Sequence, residues 1–175
     1  MAEPIASPSR REIVVSLARA AGVAPLVLGA LEGTARALPR TESTDMAILE
    51  AAVALEEQAI AIYDEGARHG LVPTGLRHYA VEFRGDHVGH RDTQIAILEE
   101  RGGRAPRPPK NGLSLAAGDE WIRQALTIEI AAQDAYGALI SQIGTKDYLL
   151  SAAFILVDEI RHMTVWRRAL GLKIY

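Results

Sequence analysis

Two stretches of this chain, 73 residues apart, carry the same polar pair on an apolar background. From Ala52 to Tyr63, Glu56 is followed seven residues later by Tyr63; from Ala125 to Tyr136, Glu129 precedes Tyr136 by the same interval. A second pair follows at an offset of 72 residues: Asp86-His87-Val88-Gly89-His90 and Asp158-Glu159-Ile160-Arg161-His162. Seven residues are two helical turns and three are nearly one, so the members of each segment share a helix face. The two halves read as duplicates of one helix pair.

The rest of the pattern agrees. From Thr44 onward apolar residues recur with a period near 3.6, without sustained strand alternation. Helices are predicted over about 44–69, 74–101, 117–143 and 146–170. Ser43-Thr44-Asp45 is expected to cap the first and Gly118-Asp119 to open the third, with glycine stops at Gly70, Gly102-Gly103, Gly144 and Gly171. Only 5% of the chain is aromatic, so Ala, Leu, Ile and Val must fill the core, which suits close helix packing. Pro106, Pro108 and Pro109 bar helix between the second and third elements. About fourteen extended residues reach ~45 Å, against ~40 Å for a helix of ~27 residues. That connection can therefore return along the whole bundle, whereas the other two turns are short. The expected fold is an all-α four-helix bundle with a long crossover between helices 2 and 3.

Several of the polar residues fall on the core stripes. Leu49, Ala52, Val53, Ile60 and Tyr63 flank Glu56 but not Glu57 or Gln58. Ile122, Ala125, Leu126 and Tyr136 flank Glu129. Ala152, Ile155, Leu156, Met163 and Trp166 surround Glu159 and His162, while Ala80 and Phe83 lead to His87 and His90. A buried carboxylate is costly unless paired, hydrogen-bonded or metal-bound. Three glutamates and three histidines aimed at one core point to a cation, because the stripes supply no Lys or Arg. The candidate metal ligands are Glu56, His87, His90, Glu129, Glu159 and His162. Tyr63 and Tyr136 either hydrogen-bond these ligands or simply pack. Asp86 and Asp158 either orient the histidines or face solvent. His69, His78, Glu57 and Glu82 belong to exposed faces or helix ends.

The chain has no cysteine, which excludes disulfides, thiolate zinc sites, iron–sulfur clusters and a thiol nucleophile. A metal held by His, Asp and Glu is then iron, manganese or zinc. With a net charge of −3 and no face-sized basic cluster, no nucleic-acid partner is expected.

Residues 1–40 read as a separate segment from the bundle at 41–175. Arg10-Arg11, a weakly apolar run from Ala20 to Leu31 and then Ala35-Arg36-Ala37 have the layout of an export signal, and the paired arginines resemble a twin-arginine signal. Glu3, Glu12 and Arg19 depart from that layout. The alternative is an extra helix over residues 9–31, packed on the bundle or on a partner subunit or membrane complex. The expected location is accordingly exported, periplasmic or membrane-associated, with cytoplasmic as the alternative.

The segments around Glu56–Tyr63, Phe83–His90, Glu129–Tyr136 and Ser151–His162, in that order and spacing, resemble the ferritin-like superfamily, and within it the ferritin-like and desiccation-related bacterial proteins. The resemblance covers residues ~44–171. It implies a carboxylate-bridged centre of two iron or manganese ions, held by Glu56, Glu129, Glu159, His90 and His162. One position departs from the pattern. Glu-x-x-His is usual on both the second and fourth helices, and here the second helix carries His87-x-x-His90. Three carboxylates then face two divalent ions, so a single iron, manganese or zinc ion stands as an alternative. The functional expectation is an oxidoreductase or ferroxidase using Fe(II) with O2 or peroxide, in an oligomer. The alternatives are a structural or accessory module attached through its N-terminal segment, and, more weakly because no His-Glu-x-x-His occurs, a zinc hydrolase.

Overall fold

The computed structural model describes residues 40–108 and 115–174. Four α-helices account for most of them: α1 (Glu42–Arg68), α2 (Arg77–Glu100), α3 (Asp119–Leu139) and α4 (Lys146–Ala169). No strand occurs among the described residues. The spans expected at 74–101 and 117–143 each merge a helix with one 3-10 turn, Thr74–Leu76 before α2 and Ile140–Gln142 after α3.

Helix ends follow local chemistry. α1, α2 and α4 stop alike, with Gly70, Gly102 and Gly171 at positive φ. The next N–H in each case reaches back to the last turn: Leu71 to Gly66 O, Gly103 to Leu98 O and Leu172 to Arg167 O, each at 2.9 Å. The start of α1 lies earlier than the sequence suggests. Thr41 is the cap, its hydroxyl accepting from the Thr44 N–H at 3.3 Å. Asp45 is too deep to cap, at 1% exposure. Its carboxylate instead accepts from the N–H groups of Gly144 and Thr145 at 2.9 and 2.8 Å, pinning the α3–α4 turn to the start of α1. Gly144 therefore stops no helix; it lies beyond the 3-10 turn and serves that contact.

These anchors set the topology. α1 runs antiparallel to α3, since Asp45 meets Gly144 at one end and a Cβ on Gly66 would overlap the Trp121 indole at the other. α2 runs antiparallel to α4, since Asp86 meets His162 and Asp158 meets His90. The end of α2 lies beside Met46, whereas α3 begins where Gly118 N–H donates to Leu71 O at 2.9 Å. The connection between them therefore returns the length of the bundle, as expected, although residues 109–114 lie outside the described residues.

The core forms two apolar clusters. One gathers Ile48, Leu49, Leu139 and Tyr148; the other gathers Tyr63, Phe83, Trp121 and Trp166. Between them lies the polar layer described below. Burying such aliphatic and aromatic side chains stabilises by roughly 1.5–3 kcal/mol each, and this is what can offset a charged layer. The expected export signal or extra helix over residues 9–31, and the boundary proposed near 40, fall on residues 1–39, outside the described residues. No helix among the described residues is long and apolar enough to cross a membrane.

Candidate metal centre

Each of the six ligand candidates points inward. Glu56, His87, Glu129, Glu159 and His162 are at most 1% exposed, and His90 is 9% exposed. Two overlapping sets of four form: Glu56, His87, His90 and Glu159, and His87, Glu129, Glu159 and His162. Within each set one ligand atom per residue lies within 4.8 Å of the others. His87 and Glu159, which occupy equivalent positions in the two repeats, belong to both sets.

Around the first set, Glu56 Oε2 lies 2.9 Å from His87 Nδ1 and 3.7 Å from His90 Nδ1. Glu159 Oε1 lies 3.6 and 3.3 Å from the same two nitrogens. Around the second set, Glu129 lies 3.3 Å from His87 Nε2 through Oε1 and 3.3 Å from His162 Nδ1 through Oε2. His90 and His162 thus turn Nδ1 toward the shared core. Their Nε2 atoms turn outward, to Asp158 at 3.3 Å and to Asp86 at 3.1 Å. A carboxylate behind a histidine fixes ring orientation and raises ligand basicity. The orienting role considered for Asp86 and Asp158 is the one their positions allow.

Hydrogen bonds cross the bundle in the same paired way. Tyr63 donates to Glu129, and Tyr136 donates to Glu56 at 2.7 Å. Each tyrosine is held in turn by a residue on the far helix pair. Trp166 Nε1 donates to the Tyr63 hydroxyl at 2.8 Å, and the Gln94 amide donates to the Tyr136 hydroxyl. The core-stripe argument gives no role to Gln94 or Arg161. Gln94 sits 72 residues before Trp166, the repeat offset itself, so the signal was present. Arg161 binds Glu82 and Asp86, each at 2.5 Å, and its Nε lies 3.5 Å from Asp158. It steadies both carboxylates that stand behind the histidines. Gln58, expected to face away, is buried, and Glu57 is partly buried against Arg91 at 3.4 Å; α1 packs over a wider arc than its stripe alone suggests. His69 and His78 are exposed, His69 at the C-terminal end of α1, and Glu82 is exposed on α2.

Electrostatics inside the layer are tightly coupled. Burial alone would raise the Glu56 carboxyl, but hydrogen bonds and charge from His87 and His90 bring it down to about 2. Glu129 is likewise drawn below the usual carboxylate range, against its burial, by His87 and His162. Glu159 goes the other way. Burial pushes it well above the usual range and the Glu56 and Glu129 charges reinforce this, against the pull of His87. Burial would depress both His87 and His90; Glu129 and Glu159 raise His87 well above its ordinary value, and Glu159 and Glu56 raise His90 to about 10. Protons on His87, His90 and Glu159 thus supply positive charge that a metal ion would supply instead.

The donors fit such an ion. Both oxygens of Glu159 and Nδ1 of His90 are buried without a hydrogen-bond partner. Three buried atoms of ligand type without a hydrogen bond need an explanation, and a bound cation gives one. The oxygen and imidazole donors suit iron, manganese or zinc. One face is also accessible: a cleft of about 270 Å³ between α2 and α4, lined by Gly89, Thr93, Ser151 and Phe154, reaches His90 and Asp158.

Comparison with known proteins finds relatives of this chain. A family model described as a ferritin-like domain matches residues 44–172, nearly three-quarters of the chain. A solved structure, a conserved hypothetical protein, rv2844, from Mycobacterium tuberculosis, is 26% identical with a TM-score of 0.67. The match covers 73% of this chain and 98% of that one. No curated protein matches.

Proposed function

This chain belongs to the ferritin-like domain family, and on that premise we propose that its buried Glu/His layer is a two-ion iron centre used in oxidation chemistry with O2 or peroxide. Manganese is the nearest alternative to iron for this donor set. The reading is carried by Glu159, a residue common to both four-residue sets whose two carboxylate oxygens are buried without a hydrogen bond. Glu56 and His90 would hold one ion and Glu129 and His162 the other, with His87 and Glu159 shared. Bound iron would supply the electron transfer that none of these side chains can perform.

The protein's own residues supply the rest. Asp158 and Asp86 hold the outer nitrogens of His90 and His162, so the inner nitrogens stay directed at the core. Tyr136 donates to Glu56 Oε1 and leaves Oε2 turned to the histidines, whereas Tyr63 donates to Glu129 Oε1, which also faces His87, and leaves Oε2 turned to His162. The two apolar clusters flank the layer, and the α2–α4 cleft offers a small molecule an approach at His90.

The test is metal content and turnover together. After anaerobic Fe(II) loading and desalting, the wild type should retain close to two irons per chain and consume O2 or peroxide. Glu159→Ala should stay helical by circular dichroism and lose both properties. A folded wild type that retains no metal would overturn the proposal.

A further inference from the structure

The residue that departs from the repeat sits where the two donor sets join. His87 occupies the position equivalent to Glu159, the other shared ligand, and is 0% exposed. Its two ring nitrogens face different sets. Nδ1 lies 2.9 Å from Glu56 and 3.6 Å from Glu159, while Nε2 lies 3.3 Å from Glu129 on the opposite side. His90 and His162 differ in this respect, since each turns its second nitrogen to an aspartate outside the layer. His87 has no such outer partner; both nitrogens meet ligands of the centre itself.

We propose that His87 bridges the two ions through both ring nitrogens, as an imidazolate, in place of a bridging carboxylate. This rests on the two-ion reading above. Charge supports it. Three glutamates leave two divalent ions with one unit of positive charge uncompensated, and an imidazolate supplies the missing negative charge. Each metal–nitrogen bond that forms releases any proton on that nitrogen to solvent, and no oxidant or reductant is involved. The bridge also sets a distance. Two metal–nitrogen bonds of ~2.0–2.1 Å on opposite sides of one ring separate the ions by about 6 Å. Ions clamped as a close pair in two-metal sites lie at ~3.5–4 Å.

Crystals of the full chain loaded with Co(II) test this, with ion positions read from anomalous difference maps and ion content from elemental analysis. The expected result is two ions about 6 Å apart with the His87 ring between them, and contraction to ~3.5–4 Å in His87→Glu, which restores Glu-x-x-His on α2. Two ions at the shorter distance in the wild type would overturn the bridge and leave the two-ion centre standing. A single ion would overturn the bridge as well. No ion at all would remove the two-ion reading and the bridge with it. Should His87→Glu fail to fold, the wild-type separation alone decides.

Discussion

The two halves of the centre are built from the same repeat, yet one is closed and the other open. Around Glu129 and His162, Phe83 stacks on the histidine ring at 4.0 Å between centroids, and Trp166 backs Tyr63. Arg161 locks Asp86 in place behind His162. Around Glu56 and His90 the equivalents are smaller or neutral: Ile155 for Phe83, Gln94 for Trp166 and Gly89 for Arg161, each 72 residues away. Gly89 lines the cleft that reaches His90, whereas His162 is fully buried. Apart from His87 against Glu159, the candidate ligands are preserved across the duplication while their surroundings diverge. The closed half is the better preorganised one, and the open half is the one whose histidine lines a cleft.

Ligand removal should break the comparison most sharply. Glu159→Gln removes a ligand common to both halves and is expected to take retained metal from near two ions to near none. Glu129→Gln and Glu56→Gln should each cost one ion, measurable by elemental analysis after desalting. Equal loss of both ions from either single variant would mean that the halves do not fill independently.

Stability should divide the halves next. Trp166→Ala empties the closed half of a fully buried ring that also holds Tyr63, and should cost about 3–5 kcal/mol. Gln94→Ala removes one hydrogen bond to Tyr136, which keeps Glu56 as a partner. It also removes an acceptor, Gln94 Oε1, that is itself buried without a partner, so the cost should be about 1 kcal/mol. Denaturant unfolding of the two variants checks the ratio. Similar losses would show that Trp166 acts through its hydrogen bond rather than its bulk.

How far this was readable without coordinates depends on the kind of interaction. Helix number, the crossover and the six inward-facing ligand candidates follow from periodicity and the duplicated spacing, because a side chain's face on a helix is set by sequence interval alone. Thr41 was missed as a cap because Ser43, Thr44 and Asp45 are all capping types, and only the burial of Asp45 against the α3–α4 turn excludes the last of them. Hydrogen bonds between helices, such as Gln94 to Tyr136, depend on the relative register of packed helices, which no single helix encodes. The repeat still held a clue there. The asymmetry between Arg161 and Gly89 was visible as two letters, but its meaning lies in which aspartate each would meet across the bundle.

The histidine-backing aspartates give a smaller and more selective test. Asp86→Ala should weaken metal binding in the closed half by about 10–100-fold, and Asp158→Ala should do the same in the open half. Arg161→Ala should resemble Asp86→Ala more than Asp158→Ala, since Arg161 hydrogen-bonds Asp86 but only approaches Asp158 at 3.5 Å. Competition titrations against a chelator, following each ion separately, would separate the three variants.

The smallest expected effect is a pH dependence that should invert when metal binds. In the metal-free protein Glu56 is held at about 2, so its contribution to stability is full above its unfolded value near 4.5 and is lost as pH falls toward 2. His90 is held at about 10, so its contribution is full below its unfolded value near 6.5 and is lost as pH rises toward 10. Glu159, raised by burial, loses stability in the same direction as pH climbs above 4.5. The melting temperature of the metal-free chain should therefore be highest near pH 4.5 and fall by a few degrees as the pH rises, more steeply above about 6.5. His90→Asn should flatten that alkaline limb in part, because the remainder belongs to Glu159 and His87. With metal bound, the same protons are displaced, so raising the pH through this range should strengthen binding and raise the melting temperature. A metal-free chain whose stability climbs steadily from pH 6 to pH 9 would mean that protons on His90 and Glu159 do not balance the buried acids.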